Sequence, residues 1–68
     1  MSFGKNPHVA RAEDAEQKAA DADDDSARVQ AWLEAGRQWE RASEREKDAK
    51  RRALYADRAA AARVAAET

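Results

Sequence analysis

The stretch Val29 to Ala42, VQAWLEAGRQWERA, decides how this chain can fold. It holds both tryptophans of the protein, Trp32 and Trp39, which are seven residues apart. Seven residues make about two turns of an α-helix, so in a helix both indole rings lie on one face. Val29 lies three residues before Trp32 and extends the same stripe. No other stretch has comparable apolar bulk, and the stripe is therefore predicted to be the centre of the core.

The chain has 68 residues, enough for one small domain whose single core is marginal in size. Alanine supplies most of the 43% hydrophobic content, so few large side chains are available for burial. These side chains offset only part of the ordering entropy of the chain. We therefore expect self-association, as a homodimer or a larger assembly, to complete the core.

Charged residues are abundant but balanced, with 13 basic and 14 acidic side chains. This balance disfavours a role for the whole chain as a polyanion binder. The distribution is uneven: residues 1–36 carry four basic and eight acidic side chains, a net of −4, and residues 37–68 carry nine and six, a net of +3. We expect the acidic first half to pack against the basic second half, within one chain or between chains.

The composition also bears on the compartment. The chain has no cysteine, which excludes a disulfide framework and a thiolate metal site. No apolar run resembles a signal-peptide core or a membrane span, so we expect a cytoplasmic protein with no membrane partner. Arginine outnumbers lysine nine to four beside abundant alanine, which indicates a bacterial protein from a GC-rich genome.

The order of elements follows from the helix signals. Residues 1–6 are predicted to be a flexible lead and residues 7–68 a single helical domain, with helices over about 7–22, 26–43 and 48–66. Asn6-Pro7 is typical of a helix start, because asparagine caps well and proline suits the first helical position. The acidic run 21–25 predicts a turn whose later members cap the second helix, near Asp25 or Ser26.

Residues 26–66 allow two alternatives. One helix of about forty residues is possible, because only Gly36 interrupts the helix-favouring sequence. The segment Ser43-Glu44-Arg45-Glu46 matches the S-x-x-E capping box, and Asp48 is a second possible cap. These two capping signals favour the second alternative, a break between Ser43 and Asp48, which lets the last segment fold back over the tryptophans.

The first and last helices each carry a small-residue stripe. Spacings of three and four predict the packing face of the first helix as Val9, Ala12, Ala15 or Glu16, Ala19 and Ala22. The corresponding stripe of the last helix is Ala49, Ala53, Ala56, Ala60 and Val64, flanked by Leu54, Tyr55 and Ala61. No strand pattern occurs. The predicted fold class is therefore all-α, a small unit of two or three helices, either an antiparallel helical hairpin or a three-helix bundle.

Candidate chemical sites are few. The run 21–25 places aspartates at positions one, three and five of an EF-hand loop, but Ser26 replaces the required glycine and Trp32 the required glutamate. His8 is the only histidine, and no partner for it can be assigned. There is no nucleophile motif and no phosphate-binding loop. We expect no catalytic activity, no cofactor and no bound metal.

Two sets of residues are candidates for interaction. Lys47, Lys50, Arg51 and Arg52 form the most basic run, but acidic neighbours interleave with it, so a salt-bridged face is favoured over nucleic-acid binding. The second set, predicted as core or interface, is Val29, Trp32, Leu33, Gly36, Trp39, Leu54, Tyr55 and Val64.

The tryptophan stripe has two interpretations. Both rings can form the core of a three-helix unit, or one ring can lie partly open in a groove or dimer interface, where tryptophan is enriched. Glycine in a helix interior costs about 1 kcal/mol relative to alanine. The close approach of a neighbouring helix would explain Gly36.

The same stretch resembles a known helical repeat. Trp32-x2-Ala35-Gly36-x2-Trp39 resembles the first-helix signature W-x2-L-G-x2-Y of tetratricopeptide repeats. Residues 49–56 are similar to the second-helix signature A-x3-F-x2-A, without its aromatic residue.

In another register the stretch fits the second helix of that repeat, as Ala35-x3-Trp39-x2-Ala42. With helices before and after it, the chain then resembles the three-helix microtubule-interacting and trafficking (MIT) domain. Both resemblances imply a groove between helices that binds a peptide or a helix.

Taken together, these features predict a small helical protein–protein interaction module that self-associates. It would bind a partner helix or peptide through an alanine-lined groove, with the tryptophans as anchors. The alternative is a purely structural homo-oligomer with no separate ligand. Nucleic-acid binding through residues 47–52 is the least favoured hypothesis.

Overall fold

The computed structural model describes residues 6–68, which form three α-helices joined by two short turns. The helices are α1 (Pro7–Asp21), α2 (Asp25–Arg45) and α3 (Ala49–Glu67), each within two residues of its predicted bounds. No strand occurs in this part of the chain, which confirms the all-α class in its three-helix form. The predicted flexible lead over residues 1–6 lies outside the described residues, apart from Asn6.

Asn6 fixes the start of α1. Its side-chain oxygen accepts a hydrogen bond from the His8 backbone N–H (3.1 Å), and Pro7 occupies the first turn. These are the roles that favour asparagine and proline at these positions. The Asn6 side-chain NH₂ also donates to the Ala42 carbonyl (2.9 Å), which ties the beginning of α1 to the end of α2.

Aspartates cap the other two helices. Asp24 accepts from the Ala27 N–H (2.7 Å) at the start of α2, and Asp48 accepts from the Arg51 N–H (2.9 Å) at the start of α3. The expected break therefore occurs at residues 46–48, and 26–66 is two helices. Ser43 does not form the predicted capping box. It stays inside α2, and its hydroxyl donates to the carbonyl oxygen of Arg52 in α3 (3.1 Å).

The helices form a shallow layer with α2 in the middle. Both α1 and α3 pack against α2, but the α1 and α3 backbones do not pack against each other. The short turns make each neighbouring pair antiparallel, and the layer measures 38 × 23 × 12 Å. The first half of the chain packs against the second half, through contacts such as those of Glu16 with Trp39 and of Arg28 with Ala65, but α2 separates the acidic first helix from the basic last helix.

The core is built of alanine around one tryptophan. Trp39 is 1% exposed and is the one large side chain of the described residues that is fully buried. Partly buried Val9, Trp32 and Tyr55 pack against this cluster. Seven alanines are buried in the three helices: Ala12, Ala15, Ala19, Ala35, Ala42, Ala59 and Ala62. The three from α1 belong to its predicted packing face, which is therefore confirmed.

The predicted packing stripe of α3 is wrong. Its five residues, Ala49 to Val64 at spacings of three and four, are exposed, and α3 instead buries Ala59 and Ala62, with Tyr55 half-buried. The reason is that α3 has alanines on all sides, so several faces have nearly equal apolar character. Trp39 selects among them, because only the Tyr55 side of α3 presents an aromatic ring for it to contact.

Candidate interaction surfaces

Trp39 is held by all three helices. Its indole Nε1–H donates to Glu16 Oε2 of α1 (2.7 Å), which satisfies the only polar atom of the ring. The Tyr55 ring of α3 stacks on it, with centroids 5.6 Å apart and an interplanar angle of 29°. The Arg58 guanidinium carbon lies 5.2 Å from the ring centroid. Trp39 is therefore a structural residue and is not available as an anchor for a partner.

Trp32 lies two turns earlier on the same face and is only half-buried. The antiparallel packing places it at the level of the C-terminal halves of α1 and α3, and it packs against the buried cluster of alanines around Trp39. The guanidinium of Arg28 donates to the Ala65 carbonyl oxygen (3.4 Å), which places the end of α3 at this level. We call this partly open surface over Trp32, between the C-terminal halves of α1 and α3, the Trp32 groove.

The remaining predicted core or interface residues divide by burial. Gly36 is buried, and Val29 and Tyr55 are half-buried. Three large apolar side chains remain exposed, with Leu33 at 37%, Leu54 at 46% and Val64 at 59%. The structure therefore brings the aromatic residues together around α2 and leaves these three aliphatic residues on the surface.

Gly36 faces α3, as its predicted role requires. A Cβ atom built on Gly36 would lie 3.4 Å from Cγ of Arg63, 3.5 Å from the carbonyl oxygen of Ala59 and 3.7 Å from Cβ of Ala62. These are ordinary van der Waals distances. The close approach of α3 is present, but it leaves room for the methyl group of an alanine.

Two of the four side chains of the predicted basic patch, Arg51 and Arg52, form contacts within the chain. Arg51 forms an ion pair with Glu46 (3.1 Å), and Arg52 donates to the carbonyl oxygens of Glu46 (3.1 Å) and Lys47 (3.3 Å). The backbone N–H of Asp48, followed by Arg51, lowers the pKa of the Glu46 carboxyl. These two arginines close the turn between α2 and α3.

A polar chain links α1 and α2 on another side of the layer. His8 Nδ1–H donates to Gln38 Oε1 (2.8 Å), and the Gln38 amide donates to Glu34 (2.8 Å). Arg37 also donates to Glu34 (2.8 Å). The hydrogen bond from Gln38, with that from Arg37, lowers the pKa of Glu34. A shallow cavity of about 230 Å³ lies beside this chain, lined by Arg11, Asp14, Ala15, Lys18, Ala31, Glu34 and Gln38.

Charge is segregated across the layer. The helix α1 has two basic and four acidic side chains (−2), α2 has four of each (0), and α3 has five basic and two acidic side chains (+3). One edge of the layer is therefore acidic and the opposite edge basic. The sequence predicted the difference in net charge between the two halves of the chain, but not that the acidic and basic helices lie at opposite edges of the layer.

Two further features of the described residues concern metals and membranes. No cluster of histidine, aspartate or glutamate side chains in residues 6–68 could hold a metal ion, and Asp24 of the acidic run serves as a helix cap. None of the three helices is both long and apolar enough to cross a membrane.

The fold and surfaces define a three-helix all-α layer with one half-covered tryptophan and oppositely charged edges. No family model, no curated protein and no solved structure matches this chain. The resemblances to tetratricopeptide repeats and to the MIT domain therefore stay predictions.

Proposed function

We propose that this chain is a small protein–protein interaction module that binds an apolar helix or peptide in the Trp32 groove. The observation that carries the proposal is the unequal cover of two tryptophans on one helix face. Trp39 is covered by its contacts with Glu16, Tyr55 and Arg58, whereas Trp32 is partly exposed.

The surroundings of Trp32 support a helical partner. Apart from Trp39, the buried cluster against which Trp32 packs consists of alanines, so the core supplies little bulk around the ring and a docking helix would supply the rest. Tryptophan supplies a large contact area with few rotatable bonds, which is why it is enriched at the centres of interfaces. The partner would present residues at i, i+3, i+4 and i+7 to the ring. The proposal includes no catalytic step and no cofactor.

The test uses variants with one tryptophan each. A cross-linked pull-down from the producing cell supplies candidate partners, and each purified candidate is titrated into Trp39→Phe and into Trp32→Phe. Binding in the groove shifts the emission of Trp32 in the first variant and leaves that of Trp39 in the second nearly unchanged. Equal shifts for both rings, or none, would contradict the proposal.

A matched pair of truncations supplies the control. Trp32→Ala is expected to weaken binding at least about tenfold, as truncation of a central aromatic anchor does. Leu33→Ala removes the neighbouring exposed side chain on a different side of α2 and should leave the affinity within about twofold. Circular dichroism checks that both variants stay helical.

A second candidate function is a structural homo-oligomer with no separate ligand. It is supported by an alanine core with one large buried side chain, and by the exposed apolar stripe of α3. A core of this size leaves little margin of stability in an isolated chain. Stability that rises with protein concentration would support this function.

Nucleic-acid binding has weaker support. Arg51 and Arg52 of the basic run form contacts within the chain, and acidic residues interleave with the rest. If the run did bind nucleic acid, retention of RNA would fall steeply as salt is raised.

A further inference from the structure

The three-helix layer has two unlike sides. On the side of the tryptophans, the partly buried side chains Val9, Trp32 and Tyr55 pack against the alanine core. On the far side of α2 lie the exposed arginines Arg37 and Arg41, each two residues from the buried tryptophan along the helix. Domains bury an apolar face of helices against a second layer of structure, and residues 6–68 supply no second layer here. We call the apolar side the tryptophan face.

Two opposite charges lie on the tryptophan face, one on each side of α2. The Glu16 carboxylate of α1 accepts the indole N–H of Trp39 through Oε2 (2.7 Å), and the guanidinium carbon of Arg58 in α3 lies 5.2 Å from the centroid of the same ring. Because both groups contact one indole, they lie at nearly the same level along α2. The first contact uses one of two carboxylate oxygens, and the second uses the charge of the guanidinium rather than its N–H donors. Both groups can therefore pair with a second molecule.

Other charges of the two helices lie elsewhere. The two basic side chains of α1, Arg11 and Lys18, line the cavity beside Gln38, on another side of α2 from the tryptophans. Arg63 of α3 is paired with Glu40 of its own chain (2.7 Å), so Arg58 is the base that α3 presents at the indole. The tryptophan face therefore has an acidic group on its α1 side and a basic group on its α3 side.

We infer that the Trp32 groove is filled by a second copy of this chain, in a two-fold dimer that joins the two tryptophan faces. The inference rests on the proposed function, because it uses the same groove and names its partner. A two-fold axis parallel to α2 keeps each group at its own level along the helices and exchanges the α1 side of the face for the α3 side. It therefore brings Glu16 of each copy opposite Arg58 of the other, and Trp32 of each copy opposite Trp32 of the other.

The same charges disfavour the other face-to-face arrangement. A two-fold axis across the helices would place Glu16 opposite Glu16 and Arg58 opposite Arg58, so like charges would meet at both sites. Exposed ion pairs contribute little each, so the charges select the arrangement. Burial of the two Trp32 rings supplies most of the free energy of association.

The size of the tryptophan face is sufficient for a dimer. The layer measures 38 × 23 Å in its plane, and stable interfaces bury about 800 Å² on each partner, an area that one face supplies. A two-fold interface also needs a surface that is complementary to itself. A face with an acid on one side and a base on the other, at one level, meets that requirement.

The experiment measures the dimer of the full chain by sedimentation velocity from micromolar to millimolar concentration. The native chain should pass from monomer to dimer without larger species, because a two-fold contact closes on itself. In Trp39→Phe, the remaining indole is that of Trp32, and its emission should move to shorter wavelength over the same range as the ring is buried.

Arg58→Glu tests the charge pairing. It places like charges opposite each other twice and should weaken the dimer about tenfold or more. Arg41→Glu is the matched control, because it makes the same change in net charge at an exposed position on the far side of α2. It should leave the dissociation constant of the dimer within about twofold.

A mixture of two reversal variants tests which residues meet. Glu16→Lys also places like charges opposite each other, so it and Arg58→Glu should each be weakened. Their equimolar mixture restores both ion pairs and should dimerise about tenfold or more tightly than either variant alone. Circular dichroism checks that each variant is helical before mixing. Where Glu16→Lys loses helicity, Glu16→Gln keeps an acceptor for the indole and takes its place, and the mixture should still dimerise more tightly than Arg58→Glu alone.

Three results would overturn the inference: a native chain that stays monomeric up to millimolar concentration, an Arg58→Glu variant that dimerises like the native chain, and a mixture that associates no better than its components. The proposed function fails separately. A monomeric chain whose Trp32 emission responds to a helix from another protein would overturn this inference and support the proposed function. A dimer with every property above, and with Trp32 emission that no other protein changes, would support this inference and contradict the binding of a different protein.

Discussion

The two tryptophans of α2 lie on the same face of the helix but have different surroundings. At the Trp39 end, α1 contributes a carboxylate and α3 an aromatic ring and a guanidinium, which together cover the indole. At the Trp32 end the ring packs against a buried cluster that, apart from Trp39, is made of alanines, and it stays partly exposed. The comparison shows that the burial of a large side chain depends on the side chains of the flanking helices, because both tryptophans occupy equivalent positions on their own helix.

The largest effect is expected from a substitution of Trp39, the covered ring of the two. Trp39→Ala should lower the free energy of unfolding by about 3–5 kcal/mol, because it opens a cavity in a core that holds no other large, fully buried side chain among the described residues. Trp32→Ala should cost less, about 1–2 kcal/mol, since part of the ring is already in water. Urea denaturation followed by circular dichroism measures both, and equal losses would contradict the comparison.

The cover of Trp39 can also be removed while the ring is kept. Glu16→Ala deletes the acceptor of the indole N–H and should cost about 1–2 kcal/mol, because the buried N–H is left without a partner. Glu16→Gln keeps an acceptor and should recover most of that loss. Glu13→Ala, on an exposed position of the same helix, is the control and should change stability by less than about 0.5 kcal/mol.

Gly36 lies between the two tryptophans and tests how tightly α3 is packed there. Because an added Cβ meets Arg63, Ala59 and Ala62 at 3.4–3.7 Å, Gly36→Ala should be tolerated and should stabilise the chain by up to about 1 kcal/mol through helix propensity. Gly36→Leu should destabilise it, since a longer side chain must push α3 away. A loss of stability for the alanine variant in thermal unfolding would show that the glycine is required for close packing.

The sequence predicted the helices better than it predicted their faces. Caps such as Asn6 and Asp48, and the seven-residue spacing of Trp32 and Trp39, are local signals, and the helix bounds and the central stripe follow from them. Which face of α3 turns inward depends on a contact between Trp39 and Tyr55, which are distant in sequence. Because α3 has alanines on every side, the sequence of α3 alone does not indicate that face. The same applies to the Trp32 groove, because its openness depends on α1 and α3 staying apart.

The smallest effect concerns Glu34, on another side of α2 from the tryptophans. Hydrogen bonds from Gln38 and Arg37 lower its pKa, so the folded state is stabilised when the carboxyl is ionised. This stabilisation is fully present above the usual pKa of a glutamate and is lost as the pH falls through the lower pKa of the folded chain. The Glu34 side chain is 43% exposed, so Glu34→Gln should cost less than about 0.5 kcal/mol at neutral pH.

The difference between Glu34→Gln and the native chain should therefore disappear in acid, which urea denaturation at several pH values would measure. A difference that grows as the pH falls would contradict the direction of the pKa shift. If the cost stays this small, surface charge around α2 contributes little to the contrast between its two tryptophans. That contrast would then depend on the Tyr55 ring and the Glu16 carboxylate, which cover Trp39, and on the lack of such cover at Trp32.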